Sequence, residues 1–387
     1  MRAAIRWSFR GLLALLVAAS VVGLWKHEEI MRLRAVNSLF DADRIVANFS
    51  HMDRAFLSVE LPRGNGPVMP LPEGARMDLP DGTHDWIKAR AVTSLLVIRD
   101  GRIRHESYHL GTDAQDRRIS WSIAKSFLSA LFGILLDEGR IASLDDPVTR
   151  YVPELRGGAY DGTSIRNVLQ MTSGVKFDED YLDHDSDINR MGRVIALGGT
   201  MDGFAAGLQA RAFEPGETWK YVSIDTHVIG MVIRGATGRG IPSLMSERVI
   251  APIGPERAPY YITDGEGVAF VLGGLNMTTR DYARFGLLYA QGGRIGGRRV
   301  VPAAWVTAST RSSAPTALGQ AGYGLHWWIP SDGDPGVFMA RGIYGQYIYI
   351  DRPRGVVIVT TAADRDFRED GVHEANIEMF RRIAESV

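Results

Sequence analysis

The sequence predicts an α+β fold: an antiparallel β-sheet flanked by helices in an α-β sandwich, with a mostly helical subdomain inserted at about residues 140–265. Strand-like runs occur near residues 93–108 and again at 337–361, and helical pieces and loops fill the stretch between them. A long apolar helix starts near Ser122, directly after the first strands. Strands from both ends of a chain with a helical middle imply one sheet that is closed by distant segments.

Composition sets the bounds. At 387 residues and 45% hydrophobic content, the chain can bury a large core. A net charge of -1 with no long basic run removes electrostatic support for nucleic-acid binding. The absence of cysteine excludes disulfides, thiolate catalysis, a lipoprotein anchor and zinc–thiolate sites. Lysine occurs only at 26, 88, 125, 176 and 220, and Lys125 alone lies inside an apolar helix.

Residues 1–30 read as an export signal or a membrane anchor. Arg2, Arg6 and Arg10 precede an apolar run over residues 11–25, and Lys26-His27-Glu28-Glu29 follows it. As a helix that run spans about 22 Å, short against a hydrocarbon core of about 30 Å. Ala18-Ala19-Ser20 offers a small-residue cleavage site, but inside the apolar run, so cleaved signal and retained inner-membrane anchor both stay open. Positive charge ahead of the run places the body of the protein outside the cytoplasm, periplasmic or secreted, in either case.

Residues 31–85 carry Pro62, Pro67, Pro70, Pro72 and Pro80 without sustained periodicity and read as a lead-in that wraps the domain of residues 86–387. Thr93–Ile98 and Ile103–Tyr108, joined by Asp100-Gly101, read as a hairpin with a tight turn. An amphipathic helix is expected over Arg280–Tyr289, and strands over Val337–Ala340, Tyr347–Ile350 and Val356–Thr361. A final amphipathic helix is expected from about His373 to Ile383.

The chain is organised around Ser120-Trp121-Ser122-Ile123-Ala124-Lys125, which runs into Leu131–Leu136 and stops at Gly139, a helix C-cap residue. Ser122 and Lys125 are three apart, so a helix places both side chains on one face. Serine needs a base beside it to become a nucleophile, and lysine serves as one only when its amine is partly neutral. Burial and the positive end of a helix both disfavour an ammonium there. The free N–H groups of that helix start, Ser122 among them, are suited to a developing oxyanion. Alone, the spacing is also met by a helix N-terminus with a solvated lysine.

Further segments give the motif its setting: Leu144-Asp145-Asp146-Pro147-Val148, Val168–Gly174, Tyr221-Val222-Ser223, Gly273-Gly274, Asp281–Gly286 and Gly342-Ile343-Tyr344-Gly345-Gln346. In this order the chain resembles, over roughly residues 85–387, the serine β-lactamase and penicillin-binding-protein superfamily. The likeness is to its class C-like branch of esterases, D-amino-acid peptidases and 6-aminohexanoate-dimer hydrolases. The resemblance implies Ser122 as nucleophile, Lys125 as base and Tyr221 as the residue that passes the proton to the leaving group. A tyrosine does this as a base only if cations lower its pKa, and Lys125 is the expected neighbour. Oxyanion N–H groups are implied at Ser122 and, on the glycine-flanked strand edge, at Ile343, with Gly342 and Tyr344 beside the substrate.

Two departures narrow the expectation. Ser223 stands where the family's Tyr-x-Asn motif has asparagine, and a hydroxyl cannot offer the paired donor and acceptor of an amide. No lysine follows Lys220, so the Lys-Thr-Gly strand of true β-lactamases and peptidases is missing. The resemblance to 6-aminohexanoate-dimer hydrolases implies that the stretch Phe177–Asn189 closes over the site, and a solvated acidic loop is the other reading. There Tyr181 is expected to bind the scissile group, and one of Asp183, Asp185 or Asp187 a substrate amine. Their alternation resembles a calcium loop, but Ile188 and Val194 stand where glycine and glutamate are required, so no metal site is assigned. Gly265-Glu266-Gly267 lacks the strand-turn-helix setting of a nucleotide loop, and His227 reads as packed. No cofactor is implied.

The expectation is therefore a serine hydrolase that cleaves a carboxylic ester or linear amide of a small molecule through an acyl-enzyme, with membrane contact only through residues 11–25. The alternatives are a penicillin-binding D,D-peptidase or β-lactamase, and an exported binding protein with a degenerate site.

Overall fold

The computed structural model describes residues 23–387 except 332, together with 7, 11, 13, 16, 17, 20 and 21. The apolar stretch 11–25, read as signal or anchor, lies partly outside these residues. Among the described residues no helix is long and apolar enough to cross a membrane.

The strand-like runs pair as one antiparallel sheet. Strands β1 (Val92–Arg99) and β2 (Arg102–Tyr108) form the N-terminal hairpin, and Asp100 and Gly101 both take positive φ (50° and 77°), as a two-residue turn requires. After them come α1 (Ile123–Asp137), α2 (Ser223–Thr237) and α3 (Thr279–Ala290). The C-terminal part supplies β3 (Gly322–Tyr323), β4 (Trp328–Ile329), β5 (Val337–Gly342), β6 (Gln346–Asp351), β7 (Val356–Ala362) and α4 (Val372–Ser386). The sheet order is β2-β1-β7-β6-β5-β4-β3, so the N-terminal hairpin adds to the C-terminal strands, with Leu96 opposite Val359.

Both faces of this sheet are covered, which is why its central strands are apolar without strict alternation. Leu95, Val97 and Ile358 pack with Ile377, Phe380 and Ile383 of α4. On the other face Leu96, Ile98, Val357 and Val359 belong to the main core with Phe127 of α1 and Phe285 of α3. Those two rings stack at 3.6 Å and fix one helix to the other. Each such fully buried side chain contributes about 1.5–3 kcal/mol by removal from water. Gly286 lets α3 lie directly on the sheet, since a Cβ there would come within 2.6 Å of Val357 Cγ1.

A second, four-stranded sheet joins Ser58–Glu60, Tyr260–Ile262, Leu275–Met277 and Arg118–Ile119 in that order. Two or three residues are too few to show a period of two, so these strands leave no trace in the hydropathy pattern. This sheet delivers the chain to Ser122: Arg118–Ile119 pairs with Asn276–Met277, and the Ser120 N–H donates to Leu275 O at 2.8 Å. The lead-in contributes Leu39, Ile45, Phe49, Met52 and Leu61 to the main core.

Candidate active site

Ser122 caps the N-terminus of α1, and the preceding Trp121 is held at φ 43°, a left-handed conformation uncommon for a bulky residue. An aromatic cluster holds Trp121 there: its ring centroid lies 6.0 Å from Phe40, 5.5 Å from Phe49 and 6.1 Å from Tyr344. Among the described residues no carbonyl accepts the Ser122 N–H.

Lys125, one turn along, is 2% exposed. Its Nζ lies 3.1 Å from Ser122 Oγ, 3.3 Å from Ser223 Oγ and 2.7 Å from the Leu272 carbonyl. Burial lowers its pKa to about 7, against the opposing charges of Glu179 and Asp225. A neutral amine has two N–H groups for Leu272 O and Ser223 Oγ, which leaves its lone pair for the Ser122 proton.

Tyr221 stacks on Trp328 at 5.4 Å and 26°. Lys125 Nζ sits over the face of the Tyr221 ring, 5.3 Å from its centroid. The expectation that Lys125 lowers the phenol pKa is corrected. Burial, reinforced by Glu179, pushes it up, so Tyr221 stays protonated at neutral pH, with Ser122, Arg341 and Ser223 only partly opposing. The phenol can still relay a proton by accepting one as it gives another.

Glu179, which the sequence reading passed over, links these groups. It accepts from the Ser223 N–H at 2.9 Å, from the Ser223 hydroxyl, and from the Tyr181 hydroxyl at 2.6 Å. It lies in a loop that turns at Tyr181 and Leu182, so no periodicity in the sequence marked it. Asp225, a second unforeseen acid, is fully buried beneath the site, where it accepts from Tyr160 (2.7 Å) and Ser173 (2.8 Å). Burial raises its pKa to about 8.

The aspartates named from the sequence are not at the site. Asp183 accepts from the Asp185 N–H (2.9 Å) and Asp185 faces His184 (2.9 Å). Asp187 opens the helix Asp187–Ala196, accepting from the Asp178 N–H (2.9 Å) and pairing with Arg190 (2.7 Å). These short carboxylates close a turn and start a helix, which satisfies them locally. None of the three lines a cavity at Ser122. His227 is buried, 2.7 Å from Asp202, as a packed residue.

The end of β5 completes the site. A Cβ on Gly342 would fall 2.5 Å from Ser120 O and 3.1 Å from Ser122 N, so only glycine allows this approach. Ile343 follows, and Tyr344 is held at φ 60° by stacking on Phe40 (5.2 Å) and packing on Phe367 (4.6 Å).

Two cavities meet at Ser122, Tyr181 and Ile343. One, of about 360 Å³, is lined by Phe40, Phe56, Trp121, Phe270, Leu272 and Tyr344 among others. The other, of about 420 Å³, is the more polar of the two and includes Glu179, Tyr221, Trp328, Arg341, Arg368 and Glu369. A nucleophile at such a junction can divide a substrate between two unlike compartments.

Residues 83–378 match the family model described as Beta-lactamase. The 6-aminohexanoate-dimer hydrolase of Paenarthrobacter ureafaciens is 30% identical over 322 residues, covering 76% of this chain and 79% of the relative. A solved structure from Bacillus anthracis, proposed to be a 6-aminohexanoate-dimer hydrolase, superposes with a TM-score of 0.79 at 22% identity, over 90% of this chain and 95% of that one. EstCE1, a hydrolase with promiscuous acyltransferase activity, gives a TM-score of 0.61 at 16% identity, over 79% of this chain and 96% of that one. With its antiparallel sheet and flanking helices, this chain belongs to the Beta-lactamase family of hydrolases.

Proposed function

We propose that the protein is a serine hydrolase that cleaves a carboxylic ester or a linear amide through an acyl-enzyme. The observation that carries this reading is the 3.1 Å approach of Lys125 Nζ to Ser122 Oγ within a buried pocket. Lys125 takes the Ser122 proton as Oγ adds to the substrate carbonyl, and the N–H groups of Ser122 and Ile343 receive the oxyanion. As the tetrahedral adduct collapses, the bond to the leaving oxygen or nitrogen breaks and Tyr221 gives that atom its proton, regaining one from Lys125. Water then adds to the acyl-enzyme, losing a proton to the same pair, and releases the acid with Ser122 restored.

Kinship to a 6-aminohexanoate-dimer hydrolase supports amide as well as ester substrates. The basic-then-apolar N-terminus supports an extracytoplasmic location. The test is Ser122→Ala against p-nitrophenyl acetate, together with mass spectrometry of the wild-type protein after fluorophosphonate treatment. The reading requires loss of turnover and a single adduct on Ser122; near wild-type activity in the variant, or an unlabelled Ser122, overturns it.

A further inference from the structure

Tyr221 lines the polar cavity and is absent from the lining of the apolar one. A leaving group that takes its proton from Tyr221 therefore departs into the polar cavity, and the acyl group occupies the other. We infer that the apolar cavity is an acyl subsite for an unbranched hydrocarbon chain of medium length without a cationic end; this rests on the serine hydrolase reading above.

Its walls are Val36 and Phe40 from the lead-in, Phe56, Met191, Phe270 and Leu272. At about 360 Å³ it is more than twice the roughly 150 Å³ of an apolar cavity that holds benzene, so a chain of about eight carbons fits. The basic side chains along it are Arg193 and His184, and no aspartate or glutamate lines it. An ammonium at the end of the chain would lose its hydration without gaining an acid. Leu182, 81% exposed, and Phe40, 38% exposed, extend the apolar lining out to the surface. The wall from Val36 to Phe40 comes from the N-terminal segment, outside residues 83–378 that match the family model.

The experiment measures kcat/KM for p-nitrophenyl esters from acetate to decanoate, and for hexanoate against 6-(trimethylammonio)hexanoate, with the full chain and with Val36→Trp and Phe40→Ala. The expected result is a rise of about fourfold per methylene up to about octanoate. Hexanoate is expected to exceed its cationic analogue by about tenfold or more. Val36→Trp should lower the octanoate-to-acetate ratio, and Phe40→Ala should move the preferred length upward; ratios within one preparation are insensitive to partial misfolding. A flat or falling series, or equal rates for the cationic ester, overturns the acyl subsite while Ser122-dependent hydrolysis leaves the hydrolase reading standing. Absence of Ser122-dependent hydrolysis with every ester overturns both.

Discussion

Ser223 places both its backbone N–H, at 2.9 Å, and its hydroxyl on the carboxylate of Glu179, and the same hydroxyl lies 3.3 Å from Lys125 Nζ. The carboxylate thereby positions two residues that line the apolar cavity, Ser223 and Tyr181, and its charge acts on Lys125 and Tyr221.

Glu179→Gln keeps the shape and removes the charge. Glu179 raises the pKa of Lys125 and of Tyr221, so its neutralisation lowers both. The acid limb of kcat/KM should move to lower pH, while kcat/KM at its optimum falls about tenfold, the worth of one charge-assisted hydrogen bond. An unmoved acid limb would show that the carboxylate only braces the loop.

Lys125 must be neutral to act, and burial brings its pKa to about 7. Wild-type kcat/KM for a neutral ester should therefore rise with pH, reach half its plateau near pH 7, and level off about one unit above. Lys125→Ala should reduce the plateau by about a thousandfold. Stability follows the same shift: between about 7 and 10.5 the unfolded chain binds the proton and the folded one does not. Raising the pH through that window stabilises the fold, and urea midpoints of Lys125→Met should lack this contribution.

Tyr221→Phe retains the stacking on Trp328 and deletes only the hydroxyl. The thermal midpoint should stay close to wild type while kcat falls by about 10²–10⁴, the usual worth of a positioned proton donor. The loss should be greater for an anilide than for a p-nitrophenyl ester, because p-nitrophenolate leaves without needing a proton. Equal losses for the two leaving groups would remove Tyr221 from leaving-group protonation.

Gly342→Ala puts a methyl 2.5 Å from Ser120 O, so β5 must retreat from Ser122. Widening of the gap between the two oxyanion donors should cost about 10²–10³ in kcat. Fluorophosphonate labelling of Ser122 should slow in step, because phosphonylation draws on the same oxyanion donors.

The long elements were legible in the sequence because their patterns are long. The Ser122 helix, the Asp100-Gly101 hairpin and the three C-terminal strands each span enough residues to show a period or a turn signature. Ser122 and Lys125 were placed by motif spacing, Tyr221 and Ile343 by the family resemblance, and the fold brings them together around one junction. The acids were not legible: Asp183, Asp185 and Asp187 stood out by alternation but serve a turn and a helix start, whereas Glu179 acts through a loop that no periodicity describes. The apolar lining from Val36 to Phe40 was hidden for a related reason, since the lead-in has proline and no period, and only tertiary packing shows where it goes.

The pairing of Leu96 with Val359 joins the first long strand to the last, so the sheet behind Ser122 cannot close until nearly the whole chain exists. Contacts between such remote segments carry a loop-closure cost before any gain, which makes assembly slow and leaves the apolar face of the Ser122 helix uncovered meanwhile. A ribosome-bound chain that lacks its last strand and helix therefore has its nucleophile but an unclosed sheet behind it, and latent, aggregation-prone intermediates are to be expected whenever synthesis stalls before residue 356.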